Sequence, residues 1–512
     1  MTTLALPQRR EWSAVRVSVA GGMLGAIVLA LVASFGMPGP VHFGADLYDE
    51  LWLAVVSSEL DVSARILRFE GHYMPDGTAY LYHGPAPLLT RALLAPFIEI
   101  GSVPLAGVSI WLWTVVGTAS WHATALVAAR AGLKVRGMET VPQAPVWAAL
   151  LAAAVWLTSP ALLLVSNHSL YHEPIAVAYG LAGTFAFLWS RATLQGSSLR
   201  PWLPVLAVLA ALALFARPHV AVGLYVATCL AVVWTVWRER ARSLLPAALA
   251  MALLGVGGLS YLGLNEARFG DAGVGHGSLA RDTLQHGVIY WGREEPTSPR
   301  ARGFNEQGRF NLRRVPTNAA FHLLAPPLMA GTLALRDRAE TAHRAATIGH
   351  AGFVRIEPSG SGLAFLWTAW IVLAGASAWA ARSLWRRQTG LLVGTGVIAT
   401  FMLAYATITL RYTVDLWPLI ATLAVLGIAA VAPRLSEPAS ADRWHRIAIL
   451  SLGLSIAINF AVLGGYRYMF REQGDFFSRW SAAECRERAV AKGLPAERVD
   501  HVCRTPRVWQ GS

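Results

Sequence analysis

Three carboxylates, Asp46, Asp49 and Glu50, fall within five residues of one another. An ionised carboxylate can take a proton from a hydroxyl, so this segment offers a general base. In a helix, Asp46 and Asp49 share a face at i and i+3. Asp49 and Glu50 then point about 100° apart and cannot serve one substrate atom equally. A second role is open to Asp46, that of N-cap to the helix after it. Glu70 follows across the same loop, placed to orient a second substrate or to raise the base's pKa by like-charge proximity. Next come Tyr82 and His83 in Tyr82-His83-Gly84-Pro85, and then Arg91. His168, His172 and Glu173 have the ligand types of a metal site and equally suit a polar cap on the next helix. Arg217 with His219, and Arg411 with Tyr412 and Asp415, offer cations that can bind an anionic oxygen. Arg411 and Asp415, at i and i+4, can instead pair with each other.

These residues need elements to hold them, and composition says which kind. Of 512 residues, 55% are hydrophobic and 14% charged, where a soluble domain carries about a quarter charged. That much apolar surface cannot be hidden inside a soluble body, so the excess faces lipid. A soluble enzyme, a disordered chain and a nucleic-acid-binding domain are excluded. The net charge of +13 does not alter this. Every basic residue except Lys134 and Lys492 is arginine, placed in gaps between apolar runs or in one long polar loop. No basic run is interleaved with aromatics, as a nucleic-acid platform requires. The arginine skew, with abundant Ala, Gly and Pro, fits a GC-rich bacterial genome and a bacterial inner membrane.

A crossing helix needs roughly 20 mostly apolar residues. Eleven stretches qualify: 15–36, 103–130, 144–163, 174–191, 202–216, 219–237, 244–264, 362–382, 389–408, 416–432 and 446–466. The expected fold is an all-α polytopic membrane protein. Three further runs suit helices lying in the interface: the residues after Asp46, with Leu51, Trp52, Val55 and Val56 at helical spacing, then 86–100, then 316–325. Arginine and lysine fill every second gap, which places the N-terminus in the cytoplasm and the C-terminus outside. Residues 1–467 then form the transmembrane domain, with a first outward loop at 37–102 and a long one at 265–361. Residues 468–512 form a short extracytoplasmic tail. Its Cys485 and Cys503 suit a disulfide in an oxidising compartment, with two free thiols as the alternative. The long loop, rich in Gly and Arg, reads as a lid around its interfacial helix, with Arg313 and Arg314 meeting lipid phosphate or solvent.

Three features together resemble the GT-C superfamily of integral-membrane glycosyltransferases, the broad group of the protein O-mannosyltransferases and aminoarabinose transferases. They are the carboxylate-bearing loop after the first span, the re-entry Tyr82-His83-Gly84-Pro85-Ala86-Pro87-Leu88-Leu89-Thr90-Arg91, and Arg411-Tyr412 followed by Asp415 and Pro418. The resemblance covers most of the chain as architecture. It implies that Asp49-Glu50 matches a functional acidic pair of the O-mannosyltransferases, and that Asp46 and Glu70 match carboxylates of further relatives. It also implies an inverting transfer of sugar from a polyprenyl-phosphate donor to an extracytoplasmic glycan, lipid or protein. Asp46, Asp49, Glu50 and Glu70 are then the catalytic candidates. Tyr82, His83, Arg91, His172, Glu173, Arg217, His219, Arg411, Tyr412 and Asp415 are those for substrate binding. Two departures stand out: no large soluble domain follows the last span, and the Asp-x-Asp metal motif of some relatives is missing. No cofactor is assigned, and a divalent metal has no clear motif.

Two other classes compete with an enzyme. A transporter or flippase of a lipid-linked saccharide would place ionisable residues near mid-membrane. Here the spans hold almost no acidic residues, and His122 is the main exception, more often a satisfied core residue. A non-catalytic scaffold of an envelope-assembly complex is compatible with the same sequence.

Overall fold

The computed structural model describes residues 6–35, 44–280, 283–329, 331–352, 354–357, 360–472 and 479–510. The start of the expected first loop, 37–43, lies outside them. Each of the eleven apolar stretches is occupied by helix. In chain order these are Leu6–Phe35, Ala106–Val135, Ala144–Leu157, His172–Gln195, Leu203–Leu214, Pro218–Glu239, Leu244–Phe269, Thr368–Ala376, Arg382–Ala404, Thr413–Val431 and Pro438–Glu472. The break between Leu203–Leu214 and Pro218–Glu239 falls where expected. Arg217 is extended and Pro218 opens the next helix, where its missing N–H costs nothing. Among the described residues, five stretches are long and apolar enough to cross a membrane: Ser13–Ala33, His172–Gln195, Pro218–Phe269, Leu410–Ser436 and Pro438–Arg467. The chain is an integral membrane protein.

Helices His172–Gln195 and Thr413–Val431 lie at the centre, mostly buried, packed on Ala106–Val135. Leu6–Phe35 lies at the edge, with Val19, Met23, Leu24 and Ile27 exposed for lipid. Lipid tails are as apolar as leucine, so such helices associate through close packing rather than escape from water. Gly223 and Gly394 show it: a Cβ on either would come within 2.5 Å of the other's carbonyl oxygen. His122 is a satisfied core residue, between the Ser18 hydroxyl at 3.4 Å and the Trp156 indole N–H at 3.3 Å.

A second apolar core lies apart from the bundle and joins three segments: the first loop through Tyr48, Leu67 and Tyr73, the long loop through Val288 and Ile289, and the tail through Trp480 and Val499. A three-stranded ribbon stitches the two loops. Strand His72–Tyr73 pairs antiparallel with Ala79–Tyr80 on one side and with Gln285–His286 on the other. The tail is therefore more than a tail. Its helices Ala482–Ala491 and Ala496–Val502 are joined by the Cys485–Cys503 disulfide and packed beneath the first loop. Ser63 donates to the Arg504 carbonyl at 2.7 Å, and Arg504 pairs with Asp61 at 2.8 Å.

The long loop also holds more order than a lid with one interfacial helix. Helix Val315–Leu324 is present, with Leu323 and Leu324 exposed, but so are Pro299–Gln307 and Leu333–Ala351. The last carries an i,i+4 pair of Arg336 and Glu340, a signal the sequence did contain. In helix Leu47–Val56 the expected apolar face divides. Leu51 is buried, Val55 and Val56 are exposed, and the acidic residues take the protein side.

Candidate active site

Helix Leu47–Val56 positions the three clustered carboxylates, and each meets a different partner. Asp46 stands at its start but makes no capping hydrogen bond, so the N-cap role is not taken up. Its carboxylate is nearly buried and, among the described residues, pairs with the half-exposed Arg479 of the tail. Asp49 is locked. Arg91 Nε donates to it at 2.9 Å and the Leu105 amide at 3.1 Å, while the same guanidinium also binds Glu173. Glu50 faces the tail, accepting from the Val508 amide at 3.0 Å and from Arg507 at 3.3 Å. Burial raises the pKa of both Asp49 and Glu50, against the pull of these donors. The expected divergence of Asp49 and Glu50 is what separates their partners.

Glu70 ends the helical turn Arg68–Glu70 and hydrogen-bonds Tyr171. Arg68, which the sequence reading passed over, adopts φ 54°, ψ −129°. A non-glycine residue held there costs on the order of 1–3 kcal/mol and persists only when its surroundings enforce it. Burial lowers its pKa, and the charges of Glu70 and Asp46 act on it in the other direction.

Gly84 brings the next group in. A Cβ there would sit 2.1 Å from the Phe215 carbonyl oxygen, which already accepts from the Ala86 amide at 2.8 Å. Only glycine lets the His83 segment lie against the chain just ahead of Arg217. Arg217 binds Asp415, and His219 Nε2 is 3.2 Å from the same carboxylate. The alternative Arg411–Asp415 pair does not form among the described residues. Arg411 lies in the 3₁₀ turn Leu410–Tyr412 ahead of the helix, where i,i+4 side chains do not stack, and it grips Glu357 at 2.9 and 3.3 Å. Burial acts to raise the Glu357 pKa, but Arg411 and Arg355 outweigh it and hold it below the usual range.

The rings complete the enclosure. The guanidinium carbon of Arg411 lies 4.5 Å from the Tyr171 ring centre and 5.2 Å from that of Tyr412, with Arg217 5.3 Å from Tyr412. Tyr82 and His83 are 3.8 Å apart, and His83 meets Tyr171 edge-on at 5.7 Å. Burial, then Arg217 and Arg411, push the His83 pKa well down, so its ring is neutral. Three buried nitrogens, His83 Nε2, Arg217 Nε and Arg411 Nε, have no hydrogen-bond partner among the described residues. Polar atoms buried in this way call for a ligand or water.

The structure thus groups Glu70, Tyr82, His83, Arg217, His219, Arg411, Tyr412 and Asp415, while Asp46 pairs with Arg479 of the tail. Asp49, Arg91 and Glu173 form a separate, sealed triad. His172 hydrogen-bonds Ser169 at 2.8 Å and Tyr466 at 3.4 Å and Glu173 binds Arg91, while no side chain caps the helix His172–Gln195. Sequence reasoning missed Arg68, Tyr171 as a ring wall, and Glu357. Glu357 sits in the long loop with no spacing that ties it to Arg411.

Fold and site together define a helical integral-membrane protein with a buried, cation-rich cluster of side chains. No family model and no curated protein matches the chain. Among solved structures it is similar to ArnT from Cupriavidus metallidurans bound to undecaprenyl phosphate, at 12% identity and TM-score 0.42, over 96% of this chain and 85% of that one. It is also similar to the archaeal oligosaccharyltransferase AglB from Archaeoglobus fulgidus, in complex with an inhibitory peptide and a dolichol-phosphate. There the identity is 11% and the TM-score 0.43, over 96% of this chain and 59% of AglB.

Proposed function

We propose that the protein is a membrane glycosyltransferase that moves a sugar from a polyprenyl-phosphate donor to an extracytoplasmic acceptor with inversion. The observation that carries this is the pair of buried guanidiniums, Arg217 and Arg411, flanking Tyr412 with nitrogens still to be satisfied. Such an enclosure fits a phosphate that gains charge as it leaves. Asp46 takes the proton of the acceptor hydroxyl. The acceptor oxygen then bonds the anomeric carbon, the bond from that carbon to the phosphate oxygen breaks, and the lipid phosphate departs toward Arg217 and Arg411. Glu70, held by Tyr171, orients the acceptor. Asp49 and Glu50 act as positioning residues, fastening the base's helix to the bundle and to the tail. The bundle crosses the inner membrane eleven times, with the N-terminus cytoplasmic and both loops and the tail outside.

Removing a general base typically lowers rate about 10²–10⁴-fold. Asp46→Asn should therefore abolish transfer, read by mass analysis of envelope glycans and lipid-linked sugars, with expression and insertion unchanged. Near wild-type transfer in Asp46→Asn, Asp49→Asn, Glu50→Gln and Glu70→Gln alike would remove the first loop from the chemistry.

A further inference from the structure

Three histidines unused in the reading above meet where the two loops are stitched together. His72 and His286 stand directly opposite in the antiparallel ribbon, so their side chains leave it on one face. His276 folds back over them, its ring centre 4.3 Å from that of His72 and 5.6 Å from that of His286. Each ring offers one nitrogen, and the three nitrogens lie within 4.8 Å of one another. Nε2 of His72 is buried with no hydrogen-bond partner.

We propose that His72, His276 and His286 bind one divalent transition-metal ion of the zinc type. Three imidazoles without a carboxylate suit a borderline-soft cation and leave a fourth, open position. Tetrahedral nitrogens about 2.1 Å from Zn²⁺ stand roughly 3.4 Å apart, so closure needs side-chain shifts of about 1 Å. His276 already has the supporting contact such a ligand needs: Nδ1 donates to the Gly277 carbonyl at 2.7 Å, leaving its other nitrogen a free lone pair. On His72 and His286 the Nδ1 atoms accept from the amides of Gly277 at 2.6 Å and Val288 at 3.3 Å. Metal entry therefore moves those ring protons onto Nδ1 and turns the two amides aside. Arg309 donates to the same Gly277 carbonyl at 2.6 Å, so its charge and the ion's together favour an anionic oxygen at the open position.

The ion would clamp the long loop to the first loop. It would also act on the rings of the candidate site, because Tyr82 stacks on His72 at 4.6 Å and its ring centre lies 3.8 Å from that of His83. The proposal stands apart from the glycosyltransferase reading, since metal content is measured without substrate. Full-length protein in detergent, stripped with chelator, is titrated with Co²⁺ and then Zn²⁺. The expected result is one Co²⁺ per chain with the visible bands of a tetrahedral site, displaced by Zn²⁺, and a higher unfolding midpoint with Zn²⁺. His276→Ala, at the most exposed ligand, should abolish this binding, as should His72→Ala, while His445→Ala should not. The wild-type titration needs no variant to fold. Absent stoichiometric binding, a spectrum without tetrahedral bands, or uptake undiminished in His276→Ala would each overturn the site.

Discussion

Replacing Arg91 with methionine isolates the ion triad that carries the helix of the proposed base. The guanidinium is 0% exposed, and the side chains of Asp49 and Glu173 beside it are each 1% exposed. The wild type sets one cation between two carboxylates, and the variant leaves both without one. Breaking a buried ion pair from one side costs about 3–5 kcal/mol. Burial already raises the Asp49 pKa with Arg91 in place, and without the cation it climbs further. A carboxylate whose folded pKa exceeds its unfolded value supports the fold below the unfolded pKa and loses that support as pH rises through the folded one. The deficit of Arg91→Met should therefore be largest at pH 8 and shrink at pH 5. Tryptophan fluorescence during thermal unfolding in detergent reads this, since the chain has 20 tryptophans. The triple variant Asp49→Asn, Arg91→Met, Glu173→Gln keeps an acceptor for the Leu105 amide and removes all three charges. Neutral replacement of a whole buried ion group is often harmless, so its midpoint should return toward wild type. A wild-type midpoint for Arg91→Met at both pH values would refute the triad.

Arg411→Lys exchanges a two-pronged grip on Glu357 and a stacked plane for a point charge, so transfer should fall about 10²–10³-fold. Unchanged kcat and KM would take Arg411 away from the phosphate. A reporter active only in the cytoplasm, fused after Ser512, should be silent; activity there would overturn the outward tail and the count of eleven crossings.

The helices were legible because length and apolarity are properties of a continuous stretch, which explains why Leu203–Leu214 and Pro218–Glu239 were separable at Arg217. Pairings between distant segments were not. Asp415 finds Arg217 across 198 residues, and no local spacing announces that. The i,i+4 rule misled at Arg411 because it assumes a continuing helix, and the backbone there is a tighter turn. The acidic cluster was visible as chemistry, but which partner each of its three carboxylates meets depends on residues far away in sequence. The histidine cluster was invisible for the same reason: it exists only after strand register sets His72 beside His286.

The docked tail has a consequence for biosynthesis. The carboxylates of the first loop wait for groups made 433 to 458 residues later, Arg479 for Asp46, then Arg507 and the Val508 amide for Glu50. Until those residues are made and docked, the acidic segment lacks these partners. On the proposed function, a chain stopped before Arg479 would leave both Asp46 and Glu50 without these partners, so the docked tail completes the segment that carries the proposed base.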